Sequence, residues 1–190
     1  MRVSPHRALL AALFVWPILL ATLAPAAADQ DDARLPALFQ ALKAAPSSAE
    51  AQPIEQRIWA IWLESGDGTV DALLREGGNA MAAGDYDLAL KLFDHVVDRL
   101  PYFAEGWNKR ATLLWLMDRN AESLVDVERT LALEPRHFGA LAGRGMIQIE
   151  EGDPKAALKA LEEALALHPQ LESVHRMVRE LRAKLLGRPT

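Results

Sequence analysis

The 190-residue sequence contains no cysteine. Disulfide frameworks, thiolate zinc sites, iron–sulfur clusters and thiol nucleophiles are excluded at once. A basic surplus is missing too: 21 Lys plus Arg stand against 26 Asp plus Glu, a formal net charge of -5. The first 28 residues hold Arg2 and Arg7 and no acid, so the remainder carries 19 cations against 26 acids, or -7. Nucleic-acid binding needs a basic patch facing phosphates, and a body of this sign repels a polyanion. No phosphate-binding glycine loop and no nucleophile–base set is present. His95, His137, His168 and His175 include no i, i+4 metal pair. The chain therefore reads as non-enzymatic, with no cofactor, no metal and no small-molecule substrate. Its length and 51% hydrophobic content suffice for one ordinary core.

The amino terminus reads as an address. Arg2, His6 and Arg7 form a basic n-region ahead of an apolar run from Ala8 to Leu23, and Ala26 and Ala28 place small side chains before Asp29. This is the pattern of a secretory signal peptide over 1–28, cleaved after Ala28. The run is short of the roughly 20 residues a spanning helix needs, so membrane association is expected only if the leader is retained. A periplasmic or secreted location follows.

What is abundant is a period. Pro101, Pro135 and Pro169 are 34 residues apart, and other positions keep the same step. With the proline at place 32, the units are 70–103, 104–137 and 138–171. Place 8 is Gly77, Ala111 and Gly145; place 20 is Ala89, Ser123 and Ala157. Two antiparallel helices approach closely only where both lack bulk, so small residues recur at the crossing and larger ones flank it. In the first unit Leu88, Ala89, Leu92, Phe93, Val96 and Val97 trace the i, i+3, i+4 stripe of a helix packed on two neighbours. One hairpin cannot bury that much apolar surface, and stacked units can. Gly84-Asp85 and Gly152-Asp153 mark the turn inside a unit, with Asp153 as N-cap and Pro154 at the first helical position.

On these residues, and on the text Gly78-Asn79-Ala80-Met81-Ala82-Ala83-Gly84-Asp85-Tyr86 and the joint Glu134-Pro135-Arg136-His137-Phe138, the segment 70–171 resembles three consecutive tetratricopeptide (TPR) repeats. Gln148 at place 11 and Thr130 at place 27 depart from the family's usual larger apolar residue and Ala. The resemblance implies an all-α, right-handed superhelix of helical hairpins. After Leu171 an amphipathic stripe with Arg176, Arg179, Arg182 and Lys184 elsewhere reads as a C-terminal capping helix over 172–187. Upstream, Ile54, Ile58, Trp59, Trp62 and Leu63 fall in register with a second helix, although Glu55 replaces the small residue. Residues 29–69 are thus expected to form a degenerate helical hairpin capping the array, with a turn or hinge at 65–69.

The resemblance also implies a concave groove lined by places 2, 5, 9, 12 and 13. The candidate partner-binding residues there are Met81, Asn108, Thr112, Trp115, Leu116, Met146 and Ile149. The Lys and Asn with which some family members grip a terminal carboxylate are absent, since Leu74 and Gly78 hold those places. Trp107, Ala111 and Leu114 already supply the core stripe of their helix, which leaves Trp115 to anchor a guest or to pack on a neighbouring helix. Met81, Met146 and Ile149 are expected mainly to pack between repeats, and Asn108 either bonds a guest backbone or is exposed. The expected protein is an exported adaptor that binds a polypeptide segment in its groove. The alternative is a self-associating scaffold, possible as a homo-oligomer, or a membrane-anchored assembly factor of the cell envelope.

Overall fold

The computed structural model describes residues 29–187, so the expected leader over 1–28 lies outside the described residues. A 3-10 turn, Asp29–Asp31, precedes α1 (Leu35–Ala44), α2 (Ser48–Trp62), α3 (Gly68–Ala82), α4 (Tyr86–Arg99), α5 (Ala104–Leu116), α6 (Asn120–Leu133), α7 (Phe138–Glu150), α8 (Pro154–Leu167) and α9 (Glu172–Leu185). Three hairpins, α3/α4, α5/α6 and α7/α8, stack in order and α9 covers α8, an all-α helical-repeat superhelix.

Close approach at the small places holds each hairpin together. A Cβ on Gly77 would stand 2.5 Å from the Phe93 ring, and one on Gly145 2.6 Å from Cγ of Leu161. In the middle hairpin Ser123 Oγ donates to the Ala111 carbonyl at 2.7 Å. The turns repeat as well. Gly84, Asp118 and Gly152 have φ of 79°, 57° and 78°. After them the amides of Asp85, Arg119 and Asp153 reach back to the carbonyls of Ala80, Leu114 and Gln148, each at 2.9 Å, the bond that closes a Schellman end. Asp85 and Asp153 then cap α4 and α8, accepting from the amides of Leu88 and Ala156.

The joints between hairpins are equivalent too. Leu100, Glu134 and His168 end the second helices with φ of -133°, -133° and -130° and ψ of 71°, 90° and 85°. Each precedes a proline, whose ring disfavours helical backbone in the residue before it. Arginines at place 7 then lace neighbouring units together. Arg110 joins Asp94 of α4 and Asp126 of α6, and Arg144 joins Glu128 of α6 and Glu163 of α8. The departure at Thr130 is absorbed locally, because its buried hydroxyl donates to the Asp126 carbonyl at 2.9 Å.

The N-terminal hairpin corrects the expectation of a cap stacked ahead of the first unit. Helices α1 and α2 pack on each other, but α2 barely touches α3. The pair lies across the array instead. Gln30 donates to the Tyr102 carbonyl at 2.7 Å, Arg136 donates to the Gln30 carbonyl at 3.0 Å, and Gln170 donates to the Ala45 carbonyl at 2.8 Å. Residues 30–45 thus visit the three joints in turn. Helix α2 runs back. Ser48 bonds Glu172, Glu55 bonds His168, Trp59 meets Gly139 and Lys109, and Leu63 and Glu64 end beside Leu74 and Gly78. Glu55, which stands where a stacked unit needs a small residue, pairs instead with the joint histidine His168. The 65–69 turn is well tied: Ser65 is buried, its amide donates to Asp71 at 3.0 Å, and Asp67 caps α3.

Two glycines in α7 separate packing from open space. Gly145→Leu is expected to lower the unfolding free energy by about 1–3 kcal/mol through overpacking against Leu161. Gly143→Leu is expected to leave it unchanged or slightly raised, because a Cβ there meets nothing within 4 Å. Urea unfolding of both variants measures the contrast.

Candidate functional site

The first helices of the units, α3, α5 and α7, present the concave face, and α2 fills the half of it nearest the joints. Trp62 stacks on His137 with ring centroids 4.3 Å apart and planes 9° from parallel, and Trp59 meets Trp62, His137 and Phe138 edge-on. Gly139 admits the indole, since a Cβ there would stand 2.8 Å from Trp59. Under this aromatic lid lies a polar hub. His137 caps α7, its Nδ1 accepting from the Ala140 amide at 3.0 Å, which leaves the proton on Nε2 to donate to Glu105 Oε2 at 3.0 Å. Asn108 Nδ2 donates to the same oxygen at 3.0 Å, and Lys109 Nζ lies 3.1 Å from the other. Burial pushes the Glu105 carboxyl up, but the His137 bond and the Lys109 charge outweigh it and hold the group below the ordinary carboxylate range. A second histidine repeats the design: His168 accepts from the Gln170 amide and bonds Glu55 of α2 at 3.2 Å. Sequence reasoning missed this hub. Its only signal was a histidine standing just ahead of a helix and an acid in the first turn of another.

Beyond Trp59, toward the turns, α5 and α7 leave an open cleft of about 290 Å³. Thr112 and Trp115 wall it on one side and Ala142, Gly143 and Met146 on the other, over a floor that includes Ala111, Val127 and Ile147. Trp115 is half-buried, and its Nε1 lies 3.0 Å from both carboxylate oxygens of Glu150. Four of the seven candidate residues, Asn108, Thr112, Trp115 and Met146, meet here. Leu116 and Ile149 stand exposed at the C-terminal ends of the same helices. Met81 packs against the core of the first hairpin, away from the cleft. Asn108 is 8% accessible, and its Nδ2 is turned to Glu105. Thr112 likewise turns its hydroxyl to the Asn108 carbonyl at 2.9 Å. The cleft is therefore more apolar than the sequence pattern implied. Gly143 was the residue that pattern overlooked.

Stacked two-helix units with a grooved inner face define a helical-repeat scaffold. Among the described residues no group of three or more His, Asp or Glu is placed to hold a metal ion, and no helix is long and apolar enough to cross a membrane. A TPR repeat-containing protein of Rhizobium etli is 35% identical over 157 residues, which cover 83% of this chain and 77% of that one. The chain belongs to the TPR repeat-containing proteins. No protein-family model matches it. Solved structures share the fold. The first TPR of Spaghetti (RPAP3) bound to the HSP90 peptide SRMEEVD has a TM-score of 0.60 at 22% identity, covering 62% of this chain and 94% of that one. The Yersinia enterocolitica type III secretion chaperone SycD, in complex with a peptide of the translocator YopD, has a TM-score of 0.60 at 14% identity, covering 63% and 96%.

The depressed Glu105 value has a sign that can be measured. A carboxyl held below its unfolded value stabilises the fold fully above the ordinary carboxylate range and loses that contribution as pH falls through the folded value. The gap in unfolding free energy between the wild type and Glu105→Gln is expected to be widest near neutral pH and to close on acidification below that range. Urea unfolding across a pH series reads it.

Proposed function

We propose that this protein is an exported, non-enzymatic adaptor that holds a segment of another polypeptide in the cleft between α5 and α7. The observation that carries the reading is the cleft itself, an apolar slot between Trp115 and Met146 beside the bare backbone of Gly143. Two of its fold neighbours, solved as peptide complexes, support it. Because α2 crosses the groove at Gly139, the guest is a short anchored segment and does not thread the whole concave face. A preformed slot limits the ordering cost on the adaptor's side of the complex. The basic n-region, apolar run and Ala26 and Ala28 support export to the periplasm or the exterior. If the leader is removed, N-terminal sequencing of the cellular protein begins at Asp29. Retention would make it a membrane-anchored assembly factor.

A photo-crosslinking amino acid placed in cells at Met146, with one at the exposed Val125 of α6 as control, tests the groove. The expected result is a crosslink from position 146 to a different polypeptide, lost in Gly143→Leu and not given by position 125. Self-crosslinks alone would replace the adaptor with the self-associating scaffold.

A further inference from the structure

We infer that the segment taken by the cleft is basic, an apolar anchor side chain flanked by Lys or Arg. This deepens the groove reading above and rests on it. The slot walls are apolar, so they stabilise an apolar side chain and nothing charged. The charge sits at the open end. Helices α5 and α7 both finish there, and their last carbonyls present the negative end of the helix dipole. The three turns within units, 81–87, 115–122 and 148–155, carry seven acids against Arg119 and Lys155. Some of these are committed inside the fold: Asp85 and Asp153 cap helices and Glu122 pairs with Arg119. Asp118, Glu150 and Glu151 cap no helix, and among the described residues no cation lies within ion-pair distance of them.

Glu150 is the most specific of the three. Its oxygens accept from the neutral donors Trp115 Nε1 and Asn120 Nδ2, at 3.0 and 2.9 Å, which hold the carboxylate at the mouth of the slot without neutralising it. Exposed Leu116 and Ile149 flank it. On the other side of Asn108, Lys109 is paired with Glu105 and leans on Trp59. An acidic segment entering the mouth meets the like charge of Glu150, while a basic one meets a fixed carboxylate and two helix ends.

The test is selection of a random peptide library, displayed on phage, against the purified full chain. Enriched peptides are expected to carry Leu, Ile, Phe or Met next to Lys or Arg. Synthetic copies should lose about tenfold or more in affinity with Gly143→Leu, as removal of an anchor pocket does. They should lose several-fold with Glu150→Gln/Glu151→Gln, and weaken as salt rises. Thr112→Leu, which fills the slot from the opposite wall at an exposed position, serves if Gly143→Leu does not fold. Enriched apolar peptides that lack Lys and Arg, or that ignore the double Gln variant yet are lost with a filled slot, overturn the basic guest and leave the groove reading standing. Peptides indifferent to a filled slot, or no enrichment at all, overturn both.

Discussion

Everything in this fold hangs on how closely the two helices of a unit cross. At Gly77 and Gly145 a methyl group would already collide with Phe93 or Leu161, and at Ala111 the partner is a serine that bonds the helix backbone. That approach sets one geometry for all three hairpins. Their proline joints consequently line up along one edge of the stack and their Schellman turns along the other. The two edges then have different fates.

The joint edge offers Phe138, Leu167 and Leu171, more apolar surface than the stack can cover by itself, and the N-terminal hairpin takes it. Leu35, Leu42, Ile58 and Trp62 are fully or almost fully buried against it. Contacts between rings add about 0.5–1.5 kcal/mol per pair beyond area burial, and Trp59, Trp62, Phe39, Phe138 and His137 form one continuous set of them. A strap across all three joints also couples units that otherwise touch only their neighbours. Its functional consequence is subtractive. By occupying the groove up to Gly139, α2 leaves the slot beside Trp115 as the part that the proposed guest can reach.

The turn edge stays open, and its composition is opposite. Where the joints are apolar and histidine-rich, the turns are acidic, and the slot opens on that side. On the proposed reading, an apolar pocket with a negative mouth would discriminate by sign as well as by size.

The repeat was readable from residues alone because its causes are local. Small residues at a crossing, a proline after a helix, an Asp ahead of one and the stripe of α9 each act within a unit or between sequence neighbours. The same periodicity shows which face of α2 is apolar, but not what covers it. That was settled by partners such as Gln30 and Arg136, 106 positions apart, and by Glu55 meeting His168. The site divides in the same way. Trp115 and Met146 were visible as surplus apolar residues, whereas the amide of Asn108 is drawn to the buried Glu105, which His137, 32 positions on, also bonds. The period placed Gly145 at a helix crossing and gave no role to Gly143 two residues earlier. Only tertiary packing showed the open space beside Gly143, because helical spacing sets the direction of a side chain while the neighbouring helix decides whether anything is there.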